Sequence, residues 1–293
     1  MLSIASATTY LLLVMGGVVC VTGSGLGCPD WPMCYGRIIP PVNMGAIIET
    51  THRFLAAVTS PLIVAAAVLG WRRFRSTWWM SRPPMAAVAL VLAVVVFGAF
   101  AVLTGLPPVV AAIDVGSALM VLALVLTTWT VAHARRGDPN LPDRFVLGGS
   151  FAKLTFAAST AVFLVLASGP LVADTGSIAR CVGWPLYGAV AGAAEVGGAL
   201  PGVRRALGAT AAVLIVSVVI QAWRVYRGNA AILCWATILT IMLAGEALLG
   251  ALMLFHGFTM LFGVLYVAAA VGVWAVLIVL AALAAMVPDT FPA

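Results

Sequence analysis

Eight stretches of this sequence stay apolar long enough to cross a bilayer, which takes about 20 residues. They run over roughly 3–23, 46–70, 85–105, 108–132, 150–172, 204–224, 230–253 and 258–287. Of 293 residues, 63% are hydrophobic and 8% are charged, against roughly 25% charged in a soluble domain. A chain this poor in charge cannot clothe a soluble surface. The expected fold class is all-α: a polytopic integral membrane protein of eight transmembrane helices. The start, Met1-Leu2-Ser3-Ile4, lacks a basic region and runs straight into the first span, so no cleavable signal peptide is expected.

The net charge of +6 does not point to nucleic acid, because the basic residues lie in short loops. Arg72, Arg73, Arg75 and Arg82 follow span two. Arg135, Arg136, Arg144 and Lys153 follow span four, and Arg224 and Arg227 follow span six. The intervening loops hold far fewer. The positive-inside rule then puts both termini in the cytoplasm of a cell-membrane protein. Trp78-Trp79 fits an interfacial anchor.

The halves resemble each other. Thr22-Gly23-Ser24 recurs as Thr175-Gly176-Ser177. Cys28-Pro29-Asp30-Trp31-Pro32-Met33-Cys34 recurs as Cys181-Val182-Gly183-Trp184-Pro185-Leu186-Tyr187, and Gly98 and Gly105 match Gly250 and Gly257. Two copies of four spans that enter from the same side make a parallel repeat. The expectation is two pseudo-symmetric four-helix bundles, residues 1–132 and 150–293, joined by a cytoplasmic linker over 133–149.

Two neighbouring motifs carry chemistry. Cys28 and Cys34 lie in a Gly- and Pro-rich loop on the oxidising side, where they either form a disulfide or remain a thiol pair. Cys181 faces Tyr187 at the partner position, so the second loop cannot form the same bond. Cys20 and Cys234 sit in apolar spans and are expected to be inert packing residues. After the loop, Glu49-Thr50-Thr51-His52-Arg53 opens span two. Glu49 and His52 share one helix face, and ionisable groups in a span mark a functional site by default. An imidazole there suits a haem iron, and a carboxylate beside it suits proton transfer. The other reading makes Glu49 and Arg53 a structural ion pair. Glu246 has no basic residue within a turn and must find a partner elsewhere. His133 is expected to be solvated, and His256 lies near the outer end of span seven.

The Thr22–Gly36 loop, the Glu-x-x-His-Arg helix start and the turn Leu103-Thr104-Gly105-Leu106-Pro107-Pro108 together resemble haem A synthase. This membrane family oxidises the C8 methyl of haem O to the formyl group of haem A for cytochrome oxidase. The resemblance covers almost the whole chain. It implies a haem substrate in the first half, haem b in the second, and haem O synthase or cytochrome oxidase assembly factors as partners. It implies that Glu49 is the catalytic carboxylate, that His52 ligates haem iron, and that Cys28 and Cys34 are the loop cysteine pair. The family places two histidines in each half. Here the other three positions fall on Asp114, Arg204 and Tyr266. Arginine stays protonated and cannot ligate iron, whereas tyrosinate can. Arg204 and Arg205 remain candidates to pair with haem propionates or with a lipid phosphate, and Arg53 and Tyr266 remain candidate cofactor contacts. The alternative reading is a catalytically degenerate paralogue: a haem-binding carrier, or a structural subunit of a respiratory or photosynthetic membrane complex.

Overall fold

A computed structural model describes residues 1–139, 141, 143, 148–172, 181 and 199–286. Its eight long helices are α1 (Leu2–Val21), α2 (Met44–Arg73), α3 (Trp78–Leu103), α4 (Pro108–Gly137), α5 (Ser150–Ala167), α6 (Leu200–Val225), α7 (Ala230–His256) and α8 (Met260–Met286). All eight are long and apolar enough to cross a membrane, and no strand occurs among the described residues. The chain is a multi-pass, all-helical membrane protein. Arg144, Arg180, the Thr175–Ser177 and Val182–Tyr187 parts of the repeat, and the end of the last expected span lie outside the described residues.

Two helix ends differ from the apolar pattern. α3 begins at Trp78 rather than near 85, and Arg82, Pro83 and Pro84 lie inside it. Proline is tolerated in a first turn, where its missing N–H has no helical acceptor, and these two fall just beyond that turn. The Asp143 carboxylate accepts the N–H groups of Trp78 at 2.6 Å and Trp79 at 3.4 Å, which satisfies two free donors of the helix start. Asp143 also lies 3.8 Å from Arg135 Nη1. α4 runs on to Gly137, so the first residues expected in the linker are helical. There His133 lies stacked on Trp129. The turns before α4 and α8 match: Gly105 has φ +80° and Gly257 has φ +79°. Glycine reaches that left-handed region without steric cost.

Each half closes on itself. α1 packs on α2, α2 on α3, α3 on α4 and α4 on α1; α5–α8 form the equivalent ring. The rings meet along α4–α8, α1–α8 and α4–α5. The rings touch at three levels, two of them bonded. At the cysteine-loop end, a disulfide joins Cys20 to Cys181. Midway, the Tyr10 hydroxyl donates to the Ala268 carbonyl at 3.0 Å. At the far end, the ring of Trp129 on α4 meets that of Trp235 on α7 edge-on, while its Nε1 donates to Ser3 Oγ at 3.0 Å within the first ring.

The two rings differ inside. The main apolar core fills the second, with Phe151, Leu239, Trp274, Leu277 and Leu280 fully buried. The first has a small cluster of Ala5, Ile63, Ala87, Val121 and Val125, all toward the end away from the cysteine loop. Its loop-end half carries the polar residues described next.

Candidate functional site

The loop between α1 and α2 folds onto the start of α2. Cys28 and Cys34 are bonded to each other and buried against Ala46, and the Thr50 hydroxyl lies 3.5 Å from Cys28 Sγ. Of the two states the sequence leaves open, the structure has the disulfide. Gly27 crosses the backbone of Gly45 so closely that a Cβ there would collide with it. Asp30 closes the loop tip by accepting the N–H groups of Tyr35 at 2.6 Å and Gly36 at 2.7 Å. The bond from Gly36 leads in holding the Asp30 carboxyl below the usual carboxylate range, helped by that from Tyr35 and the charge of Arg53.

Arg53 is the joint between loop and helix. Its Nη1 donates to the carbonyls of Asp30 at 2.8 Å and Met33 at 2.6 Å. Its Nε donates to Glu49 Oε1 at 3.1 Å. The ion pair anticipated at i,i+4 is present, with Glu49 5% exposed. One guanidinium thus orients both the loop and the carboxylate.

Beside this joint stand polar atoms that the protein leaves open. His52 Nδ1, Arg53 Nη2 and Asp114 Oδ1 are buried, with no hydrogen-bond partner among the described residues. His52 is on α2 and Asp114 on α4, which oppose one another across the ring. Glu49 lies within electrostatic reach of Asp114. These atoms suit a haem substrate: an imidazole for iron, a guanidinium N–H for a propionate, and a carboxylate for protons. No group of three or more His, Cys, Asp or Glu able to hold a bare metal ion occurs among the described residues.

The equivalent place in the second ring holds a polar cluster of its own. Tyr266 is 1% exposed, hydrogen-bonds Glu246 and lies within electrostatic reach of Arg204. Arg204 donates from Nε and Nη2 to the Val165 carbonyl at 3.3 and 3.1 Å. Trp274 Nε1 donates to the Ser159 carbonyl at 3.1 Å. The void beside Glu246, lined by Val165, Ile215 and Val273 among others, is about 10 Å³, room for about one water. Arg204 stays protonated and cannot ligate iron, and the Tyr266 hydroxyl is engaged by Glu246. Glu246, which lacks a partner on its own helix, finds Tyr266 on α8.

A profile of the COX15-CtaA family, described as cytochrome oxidase assembly protein, matches residues 1–47 and 42–199. The chain belongs to the COX15-CtaA family. Relatives of this COX15-CtaA member include proteins named heme A synthase. That of Bacillus pumilus is 32% identical over 192 residues, 63% of this chain and 62% of the relative. That of Alkalihalophilus pseudofirmus is 29% identical over 185 residues, 62% of each. That of Bacillus licheniformis is 28% identical over 187 residues, 62% of this chain and 61% of the relative. The matches span less than two thirds of these relatives' own length.

The sequence singles out Glu49, His52, Arg53, Cys28 and Cys34, and the structure brings them together. It places Arg204 and Tyr266 as neighbours in the other ring, with His256 exposed at the end of α7. Cys20 is a correction: it is not an inert packing residue but bonds Cys181, 161 positions away. Its place in the last turn of α1, on the side of the cysteine loop, was the available signal. Cys234 is unbonded and exposed on its helix.

Proposed function

We propose that this COX15-CtaA member is a haem A synthase-type oxidoreductase whose first bundle binds haem O and oxidises its C8 methyl to the formyl of haem A. The observation that carries this reading is the convergence of Glu49, His52, Arg53 and Asp114 in the loop-end half of one ring, three of them with buried atoms left unbonded. His52 holds the substrate iron through its imidazole. Arg53 Nη2 receives a propionate, and Nε keeps Glu49 aimed inward. Taking a methyl to a formyl removes electrons as well as protons and adds an oxygen atom. An electron acceptor and an oxygen source from outside the chain are therefore needed. The Glu49 carboxylate is the group placed to move a proton in that reaction. The disulfide-closed loop covers the site from the loop end. The loop end faces away from the cytoplasm and both termini face it, in keeping with the arginine-rich loops at the opposite end. Haem O synthase or cytochrome oxidase assembly factors are the fitting suppliers and receivers.

Glu49→Gln tests this. The variant should retain haem and lose haem A formation in cells supplied with haem O. Haem A formed at the wild-type rate by Glu49→Gln overturns the reading. The closed second ring favours one other function, a haem carrier without oxidation. That function predicts bound haem O that is never converted, even in the wild type.

A further inference from the structure

Each helix of the first ring contributes one residue to a single level. At about 1.5 Å per residue, His52 lies about 12 Å into α2, counted from Met44. By the same rise, Asp114 lies about 9 Å into α4, counted from Pro108. Gly16 on α1 and Gly98 on α3 each lie about 7.5 Å from the loop end of their helix. The order around the ring is glycine, histidine, glycine, aspartate.

The glycines shape this level. A Cβ on Gly16 would stand 3.4 Å from His52 Cε1, and one on Gly98 would stand 3.8 Å from Asp114 Oδ1. The bare positions on α1 and α3 therefore seat the His52 ring and the Asp114 carboxylate, which stand on the opposing helices α2 and α4. Both polar side chains keep a buried, unbonded atom, His52 Nδ1 and Asp114 Oδ1, and an unsatisfied buried polar group costs about 1–3 kcal/mol. Two such groups retained on opposite walls are placed for a guest and not for the fold.

We propose that haem in this slot has one protein ligand, His52, and that its other face is left to a water or small exogenous ligand hydrogen-bonded by Asp114. This rests on the haem substrate assigned above. Imidazole is a strong axial donor. Asp114, on the opposing helix, keeps Oδ1 buried and without a partner among the described residues, an acceptor for the O–H of a water. The site is therefore open on one face, with an acid pair beside the opening.

The test is spectroscopic. Full-length protein is purified in detergent and reconstituted with haem O, and ferric, ferrous and ferrous–carbon monoxide spectra are recorded. The wild type should be high-spin and bind carbon monoxide, and His52→Ala should lose the haem. Asp114→His should turn the haem low-spin and abolish carbon monoxide binding. Asp114→Asn is nearly isosteric; it should stay high-spin and shift the C–O stretching frequency of the adduct. A wild type that is already low-spin and closed to carbon monoxide overturns the proposal. So does an unshifted C–O stretch in Asp114→Asn, or a folded Asp114→His with the wild-type spectrum. If His52→Ala still loses haem in those cases, the substrate site itself stands. A colourless reconstituted wild type overturns both.

Discussion

Arg53 carries more of the first site than any other side chain. Its Nε holds Glu49, and its Nη1 holds two carbonyls of the cysteine loop. Arg53→Ala leaves a buried carboxylate without its counter-charge, and breaking such a pair costs about 3–5 kcal/mol. Thermal unfolding in detergent should show that loss, with faster proteolysis of the loop. Arg53→Lys should recover only part of it, because an ammonium cannot span both bonds as the planar fork does. Asp30 gives the loop a pH dependence. Its folded carboxyl titrates below the ordinary carboxylate range, so its support is present above the unfolded pKa of about 3.9 and is lost as pH falls through the lower folded value. Protease cleavage of the wild-type loop should therefore rise in acid, and Asp30→Asn should be cleaved readily already at neutral pH. Glu49, His52 and Arg53 were legible because charge inside an apolar run stands out at once. The encounter of Asp114 with Glu49 was not, since it depends on which helices close the ring.

At the level of elements, one close crossing decides how the loop sits. Gly27 lies against the Gly45 backbone at the start of α2. A methyl there meets main chain that cannot rotate away, and overpacking of this kind costs about 1–3 kcal/mol. Gly27→Ala should lift the loop from α2, weaken haem retention and expose the loop to protease, while the helix content by circular dichroism stays unchanged. The eight spans were legible from apolar length alone. Their ends were less so: α3 starts before its prolines because Asp143, from a distant loop, caps it. The cluster of Arg204, Glu246 and Tyr266 was half legible. A lone acid in α7 demanded a partner, but the helix supplying that partner was fixed by packing. That Arg204 and Tyr266 stand where the resemblance expects histidines was legible; that the void beside Glu246 would be water-sized was not.

For the whole molecule, the bond between Cys20 and Cys181 is the longest-range constraint, with a separation of 161 residues. Loop-closure entropy makes a cross-link over such a span worth up to about 5 kcal/mol, against about 2 kcal/mol for a loop as short as that between Cys28 and Cys34. Cys20→Ser should therefore lower the midpoint of thermal unfolding more than Cys34→Ser does. Peptide mapping without reductant should recover the Cys20–Cys181 pair. The sequence places both cysteines at the loop end of the bundles but does not pair them, because one ends a helix of the first ring and the other follows a helix of the second. Together with the edge-on meeting of Trp129 and Trp235 at the far end, this bond ties the rings to each other near both ends. An opening along the joint between the bundles would have to break these ties. A flat guest bound inside the first ring is therefore expected to come sideways out of the lipid, through a seam between two helices of that ring.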